Sequence, residues 1–255
     1  MPTADEAPET VTPIAPRLRG RAVMHQRWKD VTFLHWRVDP VRVAPLVPPG
    51  TRPDVFDGSA WVGLIPFRMV GAGILAGPSV PWLGTFAETN VRLYAVDRAG
   101  RRGVVFRSLD ASRLPVVLGA RVAFGLPYCW ARMRVGHDDG DIEYATRRRW
   151  PGRGGPRAAI RVRPEPVTVV DDPLAHFLTA RWGLFTRLGH RSLYVPNEHA
   201  TWPLQAATLQ HLEDDLVAAA GLPGVSDNRP DSVLFSAGVS TAFGVPTRSA
   251  GRVPT

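Results

Sequence analysis

The sequence predicts a mainly β protein with a few short helices. Three observations carry that expectation. Aromatic and β-branched residues recur at period two through most of the chain. Clusters of Gly, Pro, Asn and Asp cut these runs into strand-sized pieces. The segments with helical spacing are short and bracketed by caps and stops, as in DDPLAHFLTARW.

Residues 1–20 are rich in Pro, Thr, Ala and Glu, a composition that buries too little apolar area to offset ordering entropy, so a disordered tail is expected there. From Met24 onward Val31, Phe33, His35 and Arg37 alternate with Thr32, Leu34, Trp36 and Val38, a strand leading to Asp39-Pro40. Residues 41–46 read as a short helix or turn ended by Pro48-Pro49-Gly50. Asp54 to Gly58 is a turn before the apolar strand SAWVGLIPF. The stretch 69–84, MVGAGILAGPSVPWLG, reads as a Gly/Pro loop packed on an edge, with a lid over a barrel mouth as the other option.

FAETNVRLY (86–94) places Phe86, Glu88, Asn90, Arg92 and Tyr94 on one strand face and Ala87, Val91, Leu93 and Ala95 on the other. That polar row is either a solvated surface or the wall of a pocket. Asp97 to Gly100 turns the chain into VVFRSLD, and Pro115 opens a helix that runs to about Phe124 and stops at Gly125 and Pro127. YCWARMRV, IEYATRRRW and AAIRVR form an antiparallel three-strand meander. A capped helix follows at 171–182, then a hairpin around Gly189-His190, a strand, a helix at 213–222 and the last strand SVLFSAGVSTAFGV. Residues 21–246 then form a single domain, and 247–255 fray as a tail.

A chain of 255 residues with 44% apolar content buries one substantial core. The net charge is +8, yet of 31 basic residues Lys29 is the only lysine, and the arginines are scattered rather than striped. Nucleic acid is therefore the weakest partner reading, through the basic run RRRWPGRGGPR (147–157), whose plainer role is a solvated hairpin loop. The single cysteine, Cys129, forms no intrachain disulfide, and no apolar run approaches the ~18 residues of a membrane span. A cytoplasmic protein is expected, with no membrane partner and with the homo-oligomeric state open. The histidines, among them His35, His176, His190, His199 and His211, lack HxH or HxxxH pairing, so no metal and no cofactor are expected. GxSxG, P-loop and strand-linked GxGxxG signatures are absent.

The order Phe-x-Glu-x-x-Val-Arg (86–92), hairpin, VVFRSLD (104–110), then Leu-Gly-Ala-Arg-x-x-x-Gly-Leu-Pro-Tyr (118–128) is similar to the central part of the acetoacetate decarboxylase superfamily. QRWKDVTFLHW (26–36), VPPGTRPDVFDGSAWVGLIPFRM (47–69), HATWPLQ (199–205) and VLFSAGVSTAFGVP (233–246) follow in the order of its YqjF-like domain-of-unknown-function branch, so the chain resembles that family over about 22–246. The resemblance implies an antiparallel β-barrel or cone with an interior cavity walled by the Glu88 row. It also sets the chemistry. Acetoacetate decarboxylases form a Schiff base through a lysine placed after a Gly-x-Pro element. Here Gly125-Leu126-Pro127 is followed by Tyr128 and Cys129, and Lys29 stands beside Asp30, which favours its charged form.

Imine chemistry is therefore not expected. The resemblance makes Glu88, Arg92 and Tyr128 the candidate catalytic groups, and Glu88, Asn90, Arg92, Tyr94, Arg121 and Tyr128 the candidate ligand contacts. Glu88 and Arg92 stand about 13 Å apart along the strand at ~3.3 Å per residue, close enough for long side chains to converge through Asn90. The leading reading is a receptacle for a small organic ligand bearing a carbonyl or carboxylate. Catalysis there would be lyase- or isomerase-like acid–base work on a small organic acid. The alternative is a non-catalytic interaction module with a basic surface.

Overall fold

The computed structural model describes residues 5–74, 82–151 and 155–249. Within them the chain runs β1 (Met24–Val38), α1 (Pro40–Val43), β2 (Thr51–Pro53), β3 (Ala60–Ile74), β4 (Phe86–Asp97), β5 (Arg102–Ala111), α2 (Leu114–Phe124), β6 (Tyr128–Asp138), β7 (Asp141–Trp150) and β8 (Arg157–Thr168). It continues through α3 (Pro173–Thr179), β9 (Gly183–Leu188), β10 (Arg191–His199), β11 (Leu204–Asp214), α4 (Leu216–Ala219), β12 (Ser232–Phe243) and β13 (Thr247–Arg248).

The strands form one ladder that closes on itself twice. One circuit passes through β5, β6, β7, β8, β11, β12, β1, β3 and β4 and closes by the β4–β5 pairing. The other leaves the common wall through β9 on β5 and β10 on β12. Strands β12, β1, β3, β4 and β5 are shared, so their two faces look into different interiors. Period two then sorts the side chains. Leu34 and Trp36, Val62 and Leu64, and Val91 and Leu93 pack with Tyr144 and Ile160 inside the larger circuit. Phe33, Ile65, Phe67, Phe86 and Leu109 pack on the other side. β4 is buried along nearly its whole length for this reason, although Glu88, Asn90 and Arg92 on one of its faces are polar or charged.

Local chemistry agrees with the elements formed. Asp172 accepts hydrogen bonds from the amides of Leu174 and Ala175 at the start of α3, and Asp39 caps α1 through Val41. Gly125 ends α2 in the left-handed region (φ +64°), and a Cβ there would lie 2.1 Å from the Arg187 carbonyl oxygen.

Several expectations change. β5 runs parallel to both β6 and β9 in an otherwise antiparallel ladder; α2 carries the chain over between β5 and β6. β3 continues to Ile74, pairing with Met24, so residues 69–74 of the expected loop are strand, and its residues 75–81 lie outside the described residues. Glu213 and Asp214 belong to β11, and the helix there is only Leu216–Ala219, capped by the Asp214 carboxylate.

Residues 5–20, expected to be a disordered tail, lie along the barrel: the Glu6 and Glu9 amides donate to the Arg98 and Gly100 carbonyls, and Leu18 N–H donates to the Glu198 carboxylate. Backbone groups on the barrel surface supply the partners that composition alone does not reveal. Thr247 and Arg248, assigned to a fraying end, pair with Tyr194 and Leu193 of β10. The basic run 147–157 is not a continuous arm. Arg147–Trp150 end β7, Arg148 is turned inward onto Asp110, and residues 152–154 lie outside the described residues.

Candidate active site

The seven-strand circuit encloses a cavity of about 120 Å³ to which every one of its strands contributes side chains. One water needs only ~10–15 Å³, so a small organic molecule fits and a nucleotide does not. Trp28, Phe33, Phe67, Trp202 and Phe243 make the apolar part of the wall. Glu88, Asn90 and Arg92 of β4, Tyr128 of β6, Arg181 after α3 and His199 of β10 stand in the polar part, which Gln26, Thr179, Thr186 and Asn197 extend.

Glu88 is 2% exposed and accepts a hydrogen bond from the Tyr128 hydroxyl at 3.1 Å. Burial pushes its carboxyl up to about 8; the Tyr128 bond opposes that rise and the Asp110 charge adds to it. At neutral pH Glu88 is therefore a neutral acid with a proton to donate. Tyr128 reaches it because the α2 crossover brings β6 in parallel to β5 with Tyr128 opposite Leu109.

Arg92 is held from behind. Its Nε donates to the Tyr94 hydroxyl at 2.9 Å and its Nη2 to the Leu178 carbonyl at 2.9 Å, which leaves Nη1 without a hydrogen-bond partner among the described residues. Tyr94 in turn donates to Leu178 at 3.0 Å. His35 Nε2 lies 2.6 Å from the same hydroxyl and, with the hydroxyl proton already committed, is the donor, so its Nδ1 is a bare acceptor. Burial, with the Arg92 and Arg181 charges behind it, holds His35 well below the usual histidine range and neutral.

Arg181 was not visible in the sequence. Its Nε donates to Phe177 at 2.6 Å and its Nη1 to Asp54 at 2.5 Å, while Nη2 is buried without a partner. Asp54 is shared with Arg102, so one carboxylate serves two cations. Nothing local marks an arginine two residues past a helix as a pocket residue when its acid lies 127 positions away. His199 had a signal that went unread. The alternation that sends Glu198 and His199 opposite ways turns the histidine inward, and it lies 7% exposed.

The remaining expected contacts fall elsewhere. Tyr94 does not line the cavity and acts through Arg92. Arg121 is on the outer side of α2: its guanidinium donates to the Tyr128 carbonyl at 2.6 Å and lies 4.9 Å over the Trp150 ring, away from the cavity wall. Lys29 is exposed on β1 and does not line the cavity. Among the described residues no cluster of His, Cys, Asp and Glu has metal-site geometry.

Uncharacterized protein YqjF of Bacillus subtilis is 34% identical over 203 residues, covering 80% of this chain and 84% of that protein. Acetoacetate decarboxylase from Legionella pneumophila superposes with a TM-score of 0.61 at 13% identity, over 94% of this chain and 93% of that one. An acetoacetate decarboxylase-like enzyme from Sphingomonas wittichii gives 0.59 at 14% identity, over 89% and 92%. The enduracididine biosynthesis enzyme MppR complexed with pyruvate gives 0.56 at 16% identity, over 90% and 91%. At these identities the solved structures show a shared fold. Residues 25–240 match the DUF2071 family of uncharacterized conserved proteins, and the chain belongs to that family.

Proposed function

We propose that the seven-strand interior binds a small organic acid carrying a carbonyl group, and does so without forming an imine. Charge balance is the observation that supports it most. Arg92 and Arg181 face the cavity as cations, Asp54 is already divided between Arg181 and Arg102, and Glu88 is neutral. A carboxylate in the cavity relieves that excess and takes the donors left on Arg181 Nη2 and, beyond its bonds through Nε and Nη2, on Arg92 Nη1. The Glu88 proton then meets the carbonyl oxygen. MppR, of the same fold, holds pyruvate, a carboxylate beside a carbonyl. No lysine lines this cavity, so hydrogen bonds and charge replace the amine.

Trp28 and Trp202 line the cavity and report on its contents. Titration with pyruvate is expected to change tryptophan fluorescence saturably, and Arg92→Met to weaken the response about tenfold or more, as for a lost charge-assisted bond. No saturable response, or one indifferent to Arg92→Met, overturns the reading.

A further inference from the structure

Across the seven-strand circuit from β4, three strands round in one direction and four in the other, stands β10 with His199 at its end. Its Nδ1 lies 2.7 Å from the Ala200 carbonyl oxygen. A carbonyl only accepts, so the ring proton is on Nδ1 and Nε2 carries a lone pair. Trp182 at 4.6 Å and Trp202 at 5.1 Å fix the plane of the ring. The same histidine, with Gln26, also lines a surface groove of about 820 Å³ and so stands between the interior and bulk water.

We infer that Glu88 and His199 act as an acid–base pair across the cavity and enolise a small 2-oxo acid. This rests on the binding reading above and adds an activity to it. The 2-oxo acid is held through its carboxylate by Arg92 and Arg181. His199 Nε2 takes a proton from the carbon next to the carbonyl. The electrons of that C–H bond become the C=C bond, and the carbonyl π pair takes the proton of the Glu88 carboxyl. The products are the enol, an imidazolium and the Glu88 carboxylate. Reversal returns a proton to carbon, and in between the imidazolium exchanges its proton with water through the groove.

The environments divide the roles. Burial pushes Glu88 up to about 8, so it is protonated at pH 7. Burial, with the Arg92 charge adding to it, lowers His199 to about 4 against the Ala200 bond, so it is unprotonated. The ordinary values, 4.5 for the carboxyl and 6.5 for the imidazole, lie between the shifted ones, so the two groups have exchanged order: at neutral pH the carboxyl holds the proton and the imidazole the lone pair.

Pyruvate in D₂O provides the test, with loss of its methyl proton signal reporting enolisation and tryptophan fluorescence reporting binding. Wild-type protein is expected to exchange the methyl protons with no borohydride-trapped adduct. His199→Asn, whose amide keeps the donor to Ala200, and Glu88→Gln are each expected to lower the exchange rate by about 100-fold or more while pyruvate still binds. Binding without exchange in the wild type overturns the enolisation and leaves the binding reading standing. Absence of binding overturns both. Exchange that survives His199→Asn and Glu88→Gln, or a trapped adduct at Lys29, also overturns the pair.

Discussion

The Tyr128 hydroxyl donates to Glu88 Oε2 at 3.1 Å, and it is the one contact of Glu88 that favours its ionised form. Tyr128→Phe is therefore expected to raise the Glu88 carboxyl above about 8 and to cost about 1 kcal/mol of stability for a buried oxygen left without its donor. Carbon NMR of labelled glutamate and a denaturant titration read the two effects. A fall in the Glu88 value contradicts the assignment of the phenol as donor.

Glu88 makes stability depend on pH. Its folded value of about 8 lies above the ordinary 4.5, so between those values the folded state binds the proton more tightly. That contribution is fully present below pH 4.5 and is lost as pH rises through about 8. Glu88→Gln removes the dependence. The stability of the variant relative to wild type is expected to climb from pH 4.5 to about 8 and then level, by the order of a few kcal/mol. His35 and His199 act in the opposite sense at lower pH and cancel in the difference. A flat difference across that range contradicts a neutral Glu88.

Behind Glu88, Asp110 is fully buried and receives two hydrogen bonds of 2.7 Å from Arg148. Arg148→Met leaves an uncompensated buried carboxylate and is expected to cost about 3–5 kcal/mol in denaturant unfolding. Adding Asp110→Asn to it should restore much of the loss. If the single change costs under about 1 kcal/mol, the pair is not structural.

Gly238 adopts φ +126° opposite Lys29, and a Cβ there would stand 1.8 Å from the Trp28 carbonyl oxygen. Gly238→Ala must displace β1 or β12, both of which wall the cavity. It is expected to abolish the near-ultraviolet dichroism of the stacked Trp28–Trp202 pair, whose ring centroids lie 5.7 Å apart. An unchanged spectrum contradicts the close approach of the two strands.

Much of this was legible in the sequence because strand alternation is local. The row Glu88, Asn90, Arg92 followed from period two, and the Asp cap ahead of Pro173 and the helix stop at Gly125 from the chemistry of single residues. What alternation could not decide was whether that row met water. The answer depends on β4 being shared between two closed circuits, a property of pairings between distant strands such as β5–β9 and β10–β12. For the same reason Arg181 was hidden, since its role is set by Asp54 and Tyr94 across the fold. Arg121 was misplaced because helix residues three or four apart share a face, and no signal in LPVVLGARVAF says which face meets the barrel.

The protonation state of Glu88 at neutral pH carries the rest, and it is directly measurable. A carbon NMR titration of labelled glutamate, with Glu88→Gln to identify the resonance, is expected to show Glu88 ionising near pH 8 in the free protein. An inflection near the ordinary 4.5 would make the cavity that Arg92 lines hold a carboxylate of its own, and would leave neither a proton for a carbonyl nor a place for a second anion.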